Sequence, residues 1–344
     1  MSILLDGKHV ARLVRLSLAE QVAALLSQGK PAPHLAIILV GNDPASHTYV
    51  RHKLKACQEI GVQTTLISQA ADTHQENLIQ LIQRLNEDAT IHGIIVQLPL
   101  PMPIVTKEVI QAIFPHKDVD GLHPFNYGSM AYGWCLPTPF LNISLPPTIL
   151  YQHHTPIWLE SNHKNLHIEQ PKDAKKSAVG GKYNLITHIP ATPLGILMLL
   201  AYYQIETTGK HCVIIGRGST VGSPLSILMS RDTYPGNATV TLCHSHTHDL
   251  PSLTRQADIL VVAVGKPGLV TADMVQPGAI VIDVGITRVP DSTKKLGYRL
   301  QGDVDFEAVS PLCAYITPVP GGIGPMTIAA LLSNTVRAAT GQSL

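Results

Sequence analysis

Short apolar runs alternate with helically spaced stretches along the first third of the chain. LAIILV (35–40) is a continuous apolar run, the pattern of a strand buried on both faces. A polar turn and a helical pattern follow it in ASHTYVRHKLKACQEIG (45–61). TTLISQ (64–69) predicts the next strand, and a helix is expected near 75–86. GIIVQLPLP (93–101) predicts a third strand, stopped by its prolines. The order βαβαβ points to a parallel sheet covered by helices.

A second series begins near residue 193. PLGILMLLAYY predicts a helix ahead of the strand HCVIIG (211–216). A glycine-rich turn, a helix, TVTLCH (239–244), a further helix, ILVVAV (259–264) and AIVIDVG (279–285) follow in order. This is a second α/β unit of Rossmann character. No short-period repeat occurs, which excludes a solenoid. The stretch between the two series, 137–188, is rich in Pro, His and Asn with weak periodicity. It reads as an insertion or a long surface excursion, with a short strand at PPTILY; loops of this length are functional or disordered. The expected division is therefore a catalytic domain over 1–136, an atypical insertion over 137–188 and a nucleotide-binding domain over 189–325. The C-terminal helix 326–344 is expected to return to the first domain. The fold class is α/β, with two α/β domains and a cleft between them.

Composition narrows the function. The chain has 344 residues, enough for two domains with a sizeable core. A net charge of +1 gives no basic field for nucleic acid, and 5% aromatic residues leave little for base stacking. No apolar run approaches the ~18 residues that span a bilayer. The start MSILLDGKHV lacks a leader's apolar segment, so a cytosolic protein is expected. The five scattered cysteines (Cys57, Cys135, Cys212, Cys243, Cys313) suit a reducing compartment and read as small buried hydrophobes.

Two patterns carry chemistry. VIIGRGSTVGSP (213–224) runs from a strand into a helix, as a pyrophosphate-binding turn does. Its third glycine, Gly222, comes one place later than in the strict dinucleotide pattern, so a plain β–α turn is the alternative. The following strand ends in His244 and Ser245, with no carboxylate for a ribose hydroxyl, while Arg217 sits in the turn. A guanidinium with a hydroxyl suits a 2′-phosphate, so NADP is favoured over NAD. The alternating His244, His246 and His248 lack a supporting carboxylate or cysteine and read as solvated, so no metal is expected. The second pattern is Tyr49 and Lys53, spaced i, i+4 on one helical face. Gln97 follows the third strand, and Asp118 and Asp120 lie in KDVDGLHPFN (117–126). Each has an ordinary structural reading; together they mark a site at the strand ends.

VGNDPASHTYVRHKLKACQEIGV, GIIVQLPLP, KDVDGLHPFN, GRGSTVGSP, VGKPGLV, GAIVIDVG and YITPVPGGIGPMT occur in this order. Together they closely resemble the methylenetetrahydrofolate dehydrogenase/methenyltetrahydrofolate cyclohydrolase family over nearly the whole chain outside 137–188. The resemblance implies NADP-dependent oxidation of 5,10-methylenetetrahydrofolate, then hydrolysis of the methenyl cation to 10-formyltetrahydrofolate. It implies Lys53 as the essential lysine of the hydrolytic step, Gln97 as the glutamine that orients it, and Tyr49 as the ring stacked on the folate. It implies folate contacts from Val96, Leu98 and Asp120, and from Pro320, Gly321, Gly322, Ile323 and Gly324 in PVPGGIGPMT. Gly216, Arg217, Gly218, Ser245 and Ile286 match cofactor-contacting positions. The expected partners are tetrahydrofolate derivatives and a second copy in a homodimer, with no nucleic acid and no membrane. Purine biosynthesis in the cytoplasm is the implied setting.

The chain departs from the family pattern in three places. Gly218 stands where serine is usual, Ala191 and Leu194 stand where cysteine and arginine are frequent, and 121–190 far exceeds the usual short link. A dehydrogenase without the hydrolytic step, and a non-catalytic folate- or nucleotide-binding protein, therefore remain as alternatives. The intact Lys53–Gln97 pair argues against the first of them.

Overall fold

The computed structural model describes residues 2–133, 187–294 and 297–341. The chain opens with β1 (Ile3–Leu4) and α1 (Gly7–Ser27), whose first turn is capped by Asp6 accepting the His9 N–H at 2.9 Å. β2 (His34–Val40), α2 (Pro44–Glu59), β3 (Gln63–Gln69), α3 (Gln75–Glu87) and β4 (Gly93–Val96) follow, in the expected βαβαβ order. Next come α4 (Thr106–Gln111) and α5 (Pro124–Tyr132). The second half holds α6 (Ala191–Tyr202), β5 (His211–Ile215), α7 (Gly222–Ser230), β6 (Thr239–Cys243), α8 (Leu250–Thr254), β7 (Ile259–Val262) and β8 (Ile280–Asp283). It closes with β9 (Thr287–Pro290), β10 (Tyr298–Gln301), α9 (Phe306–Val309), β11 (Tyr315–Ile316) and α10 (Ile323–Thr340).

The first sheet has the order β3-β2-β4, all parallel. The second has the order β1-β11-β8-β7-β5-β6, also parallel, and β9 and β10 form a separate antiparallel hairpin. The N-terminal strand therefore belongs to the second sheet and not to the domain expected over 1–136. Its two residues pair with β11, where the edge of that sheet is open to them. The helix expected over 326–344 begins earlier, at Ile323, and packs most extensively on α6 and α1.

Strand alternation explains why one core joins both halves. Leu35, Ile37 and Leu39 of β2 face a cluster shared with α1, α6, α10 and Cys212 and Ile214 of β5. Ala36, Ile38 and Val40 face a separate cluster under α3 and α4. Val213 and Ile215 turn to a third, with Val262 and Val281. The continuous central layer fixes the two sheets against each other. The expected insertion 137–188 lies outside the described residues except for Thr187 and His188, both buried. Gly121 and Pro190 are in contact: at φ +72°, a Cβ on Gly121 would stand 2.5 Å from the Pro190 nitrogen. The residues that follow the stretch, Ile189 and Pro190, thus pack against the turn that carries Asp120.

Candidate functional site

α2 starts at a proline, with Asp43 as its cap: Oδ2 accepts the Ser46 N–H at 2.7 Å and the Ser46 hydroxyl at 2.8 Å. This sets the helix over the C-terminal end of β2, with Tyr49 half-buried and Lys53 only 8% exposed. Lys53 Nζ donates to Gln97 Oε1 at 3.1 Å, and Gln97 Nε2 donates to the Leu98 carbonyl at 2.8 Å. The glutamine is therefore held from its own strand end while it holds the lysine. Burial raises the Tyr49 hydroxyl above its ordinary pKa, and the Arg288 guanidinium opposes that rise. Cys57, one turn beyond Lys53, is no nucleophile: burial pushes its thiol up to about 12 despite the nearby ammonium.

Asp120 sits in a turn built by Asp118. Asp118 Oδ2 accepts the His123 N–H at 2.6 Å and the Asn126 amide at 2.9 Å. Burial outweighs those bonds and pushes its carboxyl up to about 7. Asn334 of α10 donates to the Val119 carbonyl at 2.8 Å and the Ile189 carbonyl at 2.9 Å, and the Ala191 N–H reaches the Asp120 carbonyl at 3.1 Å. The C-terminal helix so anchors the turn that carries Asp120, which is itself half-buried. In the loop before α10, Gly322 N–H bonds the Pro318 carbonyl and the Gly321 carbonyl accepts the Lys8 N–H, each at 2.8 Å. The start of α1 therefore braces this loop. Pro320 is exposed and Gly321 and Gly324 are half-buried, whereas Gly322 is buried. Ile323 and Val96 are each 2% exposed with side chains in the core, which leaves only their backbones for the contacts expected of them.

The glycine-rich turn has the space a phosphate needs. At Gly216, φ +112°, a Cβ would stand 2.2 Å from the Ala263 carbonyl oxygen, so that position admits glycine alone. At Gly218 a Cβ would meet nothing within 4 Å, and Arg217 and Gly218 are exposed. The turn is closed by Ser223, whose hydroxyl donates to the Arg217 carbonyl at 2.9 Å. Beside it, at the end of β6, Ser245 is exposed and His244 is half-buried. Desolvation first, and the Arg217 guanidinium second, hold the His244 imidazole below its ordinary pKa. Arg217, His244 and Ser245 thus form one polar, cationic corner, and among the described residues no carboxylate is bonded to any of the three. Ile286, 40% exposed, follows β8.

Sequence reasoning missed the pair that shapes these turns. Asp303 Oδ2 accepts the Val264 N–H at 2.7 Å and the Gly265 N–H at 2.9 Å. Asp283 Oδ1 accepts the Gly285 and Asp303 N–H groups, each at 2.9 Å, and Oδ2 accepts the Val304 N–H at 3.0 Å. Both are buried, and burial raises Asp283 to about 6. A lone carboxylate ending the apolar run AIVID was the available signal. Arg288 was also missed. Ala191 and Leu194 are buried within α6 at 3% and 2%, packing positions in this chain.

Residues 5–120 match the catalytic domain, and residues 190–343 the NAD(P)-binding domain, of tetrahydrofolate dehydrogenase/cyclohydrolase. The chain belongs to the tetrahydrofolate dehydrogenase/cyclohydrolase family. It is 60% identical over 342 residues to the bifunctional protein FolD of Amoebophilus asiaticus, covering 99% of this chain and 98% of that one. It is 44% identical over 335 residues to bifunctional FolD of Phocaeicola vulgatus, covering 97% of each. Among solved structures, it is similar to the bifunctional FolD methylenetetrahydrofolate dehydrogenase/cyclohydrolase of Campylobacter jejuni, with a TM-score of 0.79, 39% identity and 99% of each chain covered. It is likewise similar to the methylenetetrahydrofolate dehydrogenase-cyclohydrolase of Trypanosoma brucei complexed with NADP cofactor and inhibitor. There the TM-score is 0.79 and the identity 34%, covering 98% of this chain and 97% of that one. The expected family and two-domain α/β fold are thus borne out.

Proposed function

We propose that this chain oxidises 5,10-methylenetetrahydrofolate with NADP+ and then hydrolyses the 5,10-methenyl cation to 10-formyltetrahydrofolate. The observation that carries this reading is the buried Lys53 held by Gln97 at 3.1 Å, in a chain whose two halves match the family's catalytic and NAD(P)-binding domains. Bound NADP+ supplies the hydride acceptor. Gly216, Arg217, Gly218, Ser245 and Ile286 would hold it; the open space over Gly218 and the carboxylate-free corner fit a phosphorylated ribose. Oxidation needs no side-chain acid, so the protein's part there is positioning.

Hydrolysis needs a proton to move. Water adds to the methenyl carbon, a carbon–nitrogen bond breaks and one proton is released. Lys53, when neutral, takes the proton of the attacking water; when charged, it polarises the folate. Gln97 keeps Nζ aimed at that carbon. Tyr49 stacks on the ring system, Asp120 accepts hydrogen bonds from the amino-pyrimidine edge, and Leu98 with the backbones of Val96 and Pro320 through Gly324 forms the walls. Because Tyr49 and Lys53 share a helical face, ring contact and proton transfer form one platform. The protein works as a homodimer in the cytoplasm and supplies one-carbon units to purine biosynthesis. Purified protein given methylenetetrahydrofolate is expected to reduce NADP+ in clear preference to NAD+. Reduction of neither would contradict the reading.

A further inference from the structure

We infer that Arg288, on the β9–β10 hairpin, recognises the anionic glutamate tail of the folate and so sets specificity for glutamate-bearing substrates; this rests on the folate reading above. The order of elements across the crevice gives the tail its direction. Asp118 bridges to Ile94, so the turn carrying Asp120 lies outside β4. β4 pairs with β2, and α2 follows β2. From one end to the other the crevice therefore presents Asp120, Gln97, Lys53 with Tyr49, and then the first turn of α2. Exposure rises along the same line, from Lys53 at 8% through half-buried Tyr49 to exposed Pro44. A pterin anchored at Asp120, with its reacting carbon at Lys53, sends its benzoyl-glutamate arm outward over that first turn.

Arg288 stands there, brought across from the nucleotide-binding half. Its Nη2 donates to Thr48 Oγ1 at 3.1 Å and to the Pro44 carbonyl at 3.3 Å. Its guanidinium carbon lies 4.7 Å from the centroid of the Tyr298 ring, on the partner strand of the hairpin. The group is thus held in place, yet its Nε and Nη1 hydrogens bond nothing among the described residues. The carboxylate of Asp43, whose pKa it helps to lower, is engaged through Oδ2 in capping α2 and forms no ion pair with it. A fixed guanidinium with an unused donor edge is a receptor for a carboxylate. The hairpin begins directly after Ile286, so one short segment would touch cofactor at its root and substrate tail at its edge.

The test compares 5,10-methenyltetrahydrofolate with 5,10-methenyltetrahydropteroate, which lacks the glutamate, in the hydrolytic assay. Arg288→Gln keeps a donor for Thr48 and removes the charge. It is expected to raise KM for the glutamate-bearing substrate by about tenfold, with kcat changed far less, and to leave KM for the tailless substrate near the wild-type value. Arg288→Lys should fall between. Wild type alone gives an independent reading: added KCl should raise KM for the glutamate-bearing substrate and not for the tailless one. An equal rise for both substrates in Arg288→Gln would make Arg288 a brace for α2 and overturn tail recognition. So would an unchanged KM, or a wild-type enzyme that does not distinguish the two substrates. Wild type that turns over neither would instead sink the folate reading, and tail recognition with it.

Discussion

Lys53 and Gln97 meet across the crevice floor, one from a helix and one from a strand end, with Nζ to Oε1 at 3.1 Å. Gln97 is itself tied to Leu98, so removing its amide frees the lysine without exposing a large apolar surface. Gln97→Ala should cut the hydrolytic kcat by about a hundredfold. NADP+ affinity should stay unchanged. Single-turnover loss of methenyl absorbance, beside a fluorescence titration of NADP+, separates the two effects.

Of the two glycines of the nucleotide turn, only one should respond to a methyl group. Gly216→Ala places a methyl against the Ala263 carbonyl at positive φ, and is expected to cost about 1–3 kcal/mol of stability and to weaken NADP+ binding. Gly218→Ala meets nothing within 4 Å and should leave the urea midpoint unchanged. Equal destabilisation by both would contradict this account of the turn.

Asp118 makes stability depend on pH. Its carboxyl is raised from 3.8 to about 7 in the fold, so its protonated form is favoured there. That contribution is full below pH 3.8 and is lost as pH rises through 7. The neutral amide introduced by Asp118→Asn keeps an acceptor for His123 and Asn126 without a charge. This variant should therefore gain stability relative to wild type as pH rises across that window. Paired urea titrations at several pH values measure it; a difference that is flat with pH would rule it out.

Much of this was legible in the sequence for identifiable reasons. Continuous apolar runs marked the central strands, because a strand buried on both faces leaves no polar alternation to confuse it. The i, i+4 spacing of Tyr49 and Lys53 marked their shared face. β1 and β11 were not legible, since each has only two residues and exists by pairing with its neighbours. Asp283 and Asp303 were not legible, because what distinguishes them is the set of amide groups that converges on each, most of them 20 or more positions away. Arg288 is separated from Thr48 by 240 positions, and no local pattern encodes that meeting. The long stretch 137–188 was visible as an excess in the sequence.

The central claim is that Lys53 carries the hydrolytic step in an enzyme that also oxidises its substrate. The most direct measurement follows NADPH and methenyltetrahydrofolate absorbance together, with methylenetetrahydrofolate and NADP+ given to wild type and to Lys53→Ala. Wild type is expected to form NADPH without accumulating the methenyl product. The variant should hydrolyse methenyltetrahydrofolate slower by about 10²–10⁴-fold, so that any methenyl product it forms accumulates. Wild type that accumulates methenyl product as the variant does, or a variant that hydrolyses it at the wild-type rate, would contradict the account.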